Sequence, residues 1–207
     1  MRPGNEALIT TGFIDTVNDV GIGSLIAPLI TGSERFAGQL GARFWFTNAF
    51  AQAHSSLQTA AGKYYSGVYQ YVKAGAALTQ GQIVCWDTFA NAGLTNFSVI
   101  PIAAAANDGR KAGIACSTVT SGQYGFIQVS GLAHVLFRAA ITAAAIGGAV
   151  FQLTATATAD AQTDANAVVA GGVLGIRSYI GVAENLPVNG TVTLVQLAAG
   201  CFVENWG

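Results

Sequence analysis

Charge is what this chain has least of. Only 9% of its 207 residues are Asp, Glu, Lys or Arg, against about a quarter in ordinary soluble domains. Nine Lys and Arg set against ten Asp and Glu leave a formal net charge of −1. Arg110-Lys111 is the only adjacent basic pair, so binding nucleic acid by neutralising phosphates is not expected. Cysteine is sparse too: Cys85, Cys116 and Cys201 are scattered without CxxC spacing. An odd, dispersed set fits reduced, buried thiols in a cytosolic compartment better than a disulfide framework.

The signatures of catalysis and of cofactor binding are missing as well. Histidine occurs only at His54 and His134, with no HExxH and no paired histidines to hold zinc. His134 lies in the alternating stretch VSGLAHVLF and reads as a structural or surface histidine. His54 stands beside Ser55 and Ser56 in AFAQAHSSL, but no GxSxG turn exists to present a nucleophile. Asp160 and Asp164 in TADAQTDAN lack the glycine and glutamate of a calcium loop, which makes a solvated turn the better reading. Gly21-Ile-Gly23 is not followed by the residues of a phosphate loop. No metal, no cofactor and no enzyme activity are expected.

Hydrophobic residues, by contrast, make up 52% of the chain. A subunit this poor in charge exposes apolar surface unless an assembly or a membrane covers it. The longest apolar run, Leu132 to Phe151, contains His134 and Arg138 and carries Gly147-Gly148 near its end. It therefore predicts two strands around a turn, not a spanning helix. A lipid-facing barrel is the alternative, its strand pattern being weak in each segment; the expectation is no membrane. Met1 to Glu6 lack an apolar core segment, so no leader peptide is expected there.

The strongest pattern is a repeated frame. GIACSTVTSGQYGFIQVSG, residues 113–131, and GVAENLPVNGTVTLVQLAAG, residues 181–200, share Gly, Ala, Gly and Gln. Gly113, Ala115, Gly122 and Gln128 align with Gly181, Ala183, Gly190 and Gln196, all 68 positions on (181 − 113). Each copy runs strand, glycine turn, strand. The frame extends further back: Arg138 to Phe151 echoes Lys73 to Val84, with Gly148 taken as the partner of Gly81. Strands are predicted at Gln82–Asp87, Leu94–Ile102, Phe151–Asp160 (FQLTATATAD), Val168–Gly175, Ile176–Ala183 and Thr191–Leu197. The fold class is mainly β: a small closed or nearly closed β-barrel at 64–207, built from two similar halves at about 73–131 and 139–200.

Residues 1–63 have another texture and read as an N-terminal arm. Within it Gly41–Leu57 (GARFWFTNAFAQAHSSL) has helical spacing, although Phe44-Trp45-Phe46 also suits a strand. Disordered tails are poor in aromatics, whereas this arm carries Phe13, Phe36, Phe44, Trp45, Phe46 and Phe50. These rings are the candidate interface, to be covered by the barrel or by a neighbouring subunit.

The segments YQYVKAGAALTQGQIVCWD, GIACSTVTSGQYGFIQVSG and GVAENLPVNGTVTLVQL resemble the head decoration, or capsid cement, proteins of tailed bacteriophages, with their small β-barrel or β-tulip domains. The resemblance covers about the last two thirds of the chain. It implies a virion structural protein, often a homotrimer, that binds the outside of a phage head and clamps the major capsid protein. Two other roles are weighed: a receptor- or carbohydrate-binding module of a fibre or spike, with Trp45, Trp86 and Tyr124 as stacking surfaces, and the major coat protein itself.

Overall fold

A computed structural model describes residues 40–41, 43–46, 65–87, 97–103, 110–139, 145–152, 157–162 and 178–202. They form ten strands: β1 (Arg43–Phe46), β2 (Gly67–Ala74), β3 (Ile83–Trp86), β4 (Ser98–Pro101), β5 (Lys111–Ala115), β6 (Tyr124–Leu136), β7 (Ala149–Gln152), β8 (Ala159–Gln162), β9 (Ser178–Ala183) and β10 (Val192–Leu197). No α-helix occurs among the described residues. The protein is mainly β, as the alternation and the glycine turns predict.

Five strands close a barrel in the order β2-β4-β3-β5-β6, because β2 also pairs with β6 from Gly67↔Gly131 to Lys73↔Tyr124. Closure leaves these strands no free edge. β6 then runs on past Gly131 and takes β10 as its partner from Leu132 to Leu136. β9, β7 and β8 follow, and Phe137, next after β6, bridges in parallel to Ala159 of β8. A second series of five, sharing β6 with the first, is thus brought round almost to closure.

The two barrels repeat each other pair by pair. Both contain a parallel pair, β2 with β4 and the end of β6 with β8. The β3–β5 ladder shifts register between Val84 and Cys85, and the β7–β9 ladder shifts between Val150 and Phe151. Loop hydrogen bonds recur as well. Gly81 N donates to Ala115 O at 2.8 Å and Gly147 N to Ala183 O at 2.7 Å. The partner of Gly81 is therefore Gly147, not Gly148: both have φ near +80°, at 83° and 75°, which a side chain other than glycine rarely adopts. At the crossing of strands, a Cβ on Gly113 would stand 2.8 Å from the Gln128 carbonyl oxygen, and one on Gly181 would strike that of Gln196. The repeated glycines and glutamines mark the same close approach twice.

Two expectations change. Arg43–Phe46 lies inside the segment read as a helix but forms β1, paired residue for residue with β2. A run of three aromatics favours a pleated surface, and the first half of β2 offers it a partner. The rest of that segment, and the strand expected at Val168–Gly175, lie outside the described residues. FQLTATATAD is not one strand: β7 ends at Gln152 and β8 begins at Ala159, with Gln152 opposite Ala159. Alternation of small residues looks the same whether a strand continues or doubles back. Asp160 accordingly sits in β8 opposite Phe151 and not in a turn, while Asp164 lies outside the described residues.

The first barrel is filled by Val72, Ala74, Val84, Trp86, Val99, Ala112 and Ile127. In the second, Val135, Phe137, Val150, Ala159, Ile180 and Val195 do this, in a cluster that also takes in Ile83, Cys85 and Ile114 from the first. Strand alternation sends these residues inward, and the shared cluster joins the two barrels.

Candidate functional site

Of the six candidate interface rings, Phe13, Phe36 and Phe50 lie outside the described residues. Phe44, Trp45 and Phe46 are on β1, at the edge of the sheet. Trp45 is 40% exposed. Gln70, almost fully buried, fastens the approach to this strand: its Nε2 donates to Gly41 O at 3.0 Å, while Arg43 Nε donates to its Oε1 at 3.3 Å. The Gly41 amide donates to Tyr71 O at 2.8 Å.

Trp86 does not serve as a stacking surface. It is 2% exposed, inside the first barrel, with its ring edge-on to Phe97. Tyr124 is half-buried and lies 5.9 Å from Tyr71 in a stacked pair, and Tyr71 tilts against Phe126 at 5.2 Å. Burial, then the neighbouring Tyr124, pushes the Tyr71 phenol far above its ordinary value. It stays protonated at any physiological pH.

Two groups with possible chemistry share one cavity. His134 and Cys116 line it together with Ile114, Ala115 and Gln128, and the space admits about one water. Gln128 Nε2 donates to Ser130 O at 3.0 Å and Leu132 O at 2.8 Å, bracing the bend of β6 at Gly131. Full burial drives the Cys116 thiol well above the thiol range. A nucleophile must be a thiolate, so this pair has no activated nucleophile. His134 also lies 6.1 Å from the Tyr65 ring, a structural setting like the one its strand position predicts. Among the described residues no group of three or more His, Cys, Asp or Glu is placed to hold a metal. No helix among them is long and apolar enough to cross a membrane.

Cysteine reactivity gives a direct check on this burial. Burial raises the Cys201 thiol to about 11, with Lys111 pulling the other way. At pH 8 its thiolate share is then about one in a thousand. Alkylation of the native protein should run at least about 100-fold slower than in denaturant. Cys201 should react first, about tenfold faster for each pH unit up to pH 10. Because the folded state holds this proton more tightly, stability is flat below the ordinary thiol value, 9, and falls as pH rises from there toward 11. Native labelling at the denatured rate would show that the thiols are not enclosed.

Sequence reasoning missed the exposed apolar side chains of the second barrel: Ile146, Tyr179, Leu186 and Val188. Two of them sit in AENLPVNG and one beside Gly147-Gly148, where turns ordinarily carry polar residues. That mismatch was the available signal.

The fold defines a class: a duplicated β-barrel protein with one closed five-stranded barrel and extra strands. No family model matches the chain, and no curated protein matches it. Among solved structures it has a likeness to the crystal structure of the head fiber gp8.5 N base in bacteriophage phi29. The identity is 11%, the TM-score 0.40, and the likeness covers 63% of this chain and 92% of that one. At that TM-score the function has to be argued from the chain itself.

Proposed function

We propose that the chain is a virion structural protein of a tailed bacteriophage, and within that class a decoration subunit. It binds the outer surface of the head and ties neighbouring major capsid proteins together, as a homo-oligomer. The observation that carries this reading is a filled interior combined with apolar side chains left outside. Both barrels have their cores, yet Trp45, Ile146, Tyr179, Leu186 and Val188 are 40–69% exposed. On a surface with few charges such side chains suit contact with other proteins. The resemblance of three segments to cement proteins supports the same role. Clamping a shell needs buried area and shape, and many modest contacts around a head add to strong retention. The stacking surface of a glycan-binding fibre module loses Trp86 to the core, which weighs against that alternative.

Co-sedimentation with heads stripped of their surface proteins tests the proposal. The expected result is saturation at one fixed ratio to the coat protein. Failure to bind heads, or low copy number with glycan binding, would overturn it. The aromatic arm is expected to matter here. Because β1 belongs to the sheet, the informative truncation stops before Leu40. Removing residues 1–39 should leave the unfolding midpoint of the barrels within about 1 kcal/mol and lower head binding at least about 100-fold. Undiminished binding would assign contact with the head to the barrels alone.

A further inference from the structure

Among the described residues, one face lacks the cover that its counterpart has. On the first barrel, the outer side of β3 and β5 is buried by the second barrel. Leu136 N donates to Gly81 O, and Ile83 N to Ala157 O, each at 2.8 Å. A Cβ on Gly81 would stand 2.6 Å from Val192. Ile83, Cys85 and Ile114 on this side share one core with Phe137 and Phe202. Lys111 is 7% exposed, near enough to Cys201 to act on its thiol.

The second barrel carries the same face on β7 and β9. Register fixes the correspondence. Ile83 opposes Ile114 as Ala149 opposes Val182, and Cys85 opposes Lys111 as Phe151 opposes Tyr179. Here no such cover is present among the described residues. Tyr179 is 43% exposed, its ring edge-on to Phe151 at 5.7 Å. Ile146, in the place of the 8%-exposed Gln80, is 69% exposed. Nothing lies within 4 Å of a Cβ on Gly147. Leu186 holds the position of Thr118, whose hydroxyl accepts from the Gln80 amide at 3.4 Å. The uncovered copy of the face has therefore kept or gained apolar side chains where its fold tolerates polar ones. A terminal repeat that ends in water ordinarily presents a polar outer side.

We propose that the β7–β9 face of one chain binds the first barrel of a second copy, head to tail, through side chains, since Lys73 N, the equivalent of Leu136 N, already donates to Phe97 O at 2.9 Å. The occupant follows from the internal interface. What covers β3 and β5 is a barrel of the same build, presenting the Leu136–Val192 pair. The matching pair on the first barrel is Lys73 and Tyr124, both half-buried in the single chain. A lysine stem and a ring suit the Tyr179–Phe151 pair, through ring packing and a cation over an aromatic face. Such a contact joins different surfaces on the two partners, so repetition closes a ring or extends a row.

Sedimentation velocity of the full chain over a concentration series tests this. The wild type should self-associate in the micromolar range, and Ile146→Asp and Tyr179→Glu should each weaken association at least about tenfold. Ile146 is in an exposed turn, so Ile146→Asp should keep the wild-type unfolding midpoint, which separates lost association from lost fold. A wild type that stays monomeric up to about 100 µM, or association unchanged by both variants, overturns the docking. The outcome is separable from the role on heads: a monomer that saturates heads refutes this contact and the homo-oligomer but keeps the role, and an oligomer that ignores heads refutes only the role.

Discussion

Gly131→Ala should be among the most damaging single substitutions in the chain, at about 3 kcal/mol or more. Two independent penalties meet there. The backbone has φ of +89°, where a Cβ costs roughly 1–2 kcal/mol. That Cβ would also strike the Ser66 carbonyl oxygen and lie 2.8 Å from Gly67 Cα. Both obstacles are backbone, held by the pairing of Gly67 with Gly131, so neither can swing aside as a side chain would. The residue is also where β6 leaves β2 and turns toward β10. Relaxation would therefore disturb the one strand that both barrels share. Gly122→Ala is the matched control: φ is +85°, but no atom lies within 4 Å of the added Cβ. It should cost only the conformational part, about 1–2 kcal/mol. Denaturant midpoints of the two variants compare them. Equal losses would mean that the close approach at the bend contributes nothing.

What the sequence disclosed and what it hid divide along a physical line. The hairpins β5–β6 and β9–β10 were legible because a hairpin is local. Gly122 and Gly190 mark its turns, and the close approaches at Gly113 and Gly181 leave no choice of residue. The equivalence of β3 with β7 was legible only to within one residue. The loops between repeats differ in length, so no single offset carries through: Val84 matches Val150, 66 positions on, whereas Gly113 matches Gly181, 68 on. The parallel pairs were not legible. Lys73 finds Ser98, and Phe137 finds Ala159, across intervening strands, and nothing in either segment announces a partner so distant. Nor was the double use of β6, since thirteen residues of alternation read alike whether they serve one barrel or two. On the candidate interface, aromatic content drew attention to the arm, of which β1 is described. The exposed face of the second barrel went unnoticed, because alternation assigns apolar residues to an inside and cannot show that an outside is apolar too.

Because the two barrels share one plan, their interiors should be interchangeable in a defined way, and a coupled pair of substitutions can read this. Trp86 opposes Val99 in the first barrel, and Gln152 opposes Ala159 in the second. Ala74 bridges Val99 as Phe137 bridges Ala159. The large ring thus comes from β3 in one barrel and from the end of β6 in the other, next to a smaller partner in each. All six residues are at most 2% exposed. Trp86→Ala and Phe137→Ala should each cost about 3–5 kcal/mol, since each empties its own barrel. Ala74→Phe alone overfills the first barrel and should cost about 1–3 kcal/mol. Combined with Trp86→Gln it recreates the arrangement of the second barrel, and the double variant should be more stable than the sum of the single losses by at least about 1 kcal/mol. Denaturant unfolding of the four proteins in that cycle measures the coupling. Additive losses would show that the barrels agree in backbone only, with side-chain volume free to sit anywhere. A favourable coupling would show instead that each duplicated barrel needs one ring, and that either of two neighbouring strands can supply it.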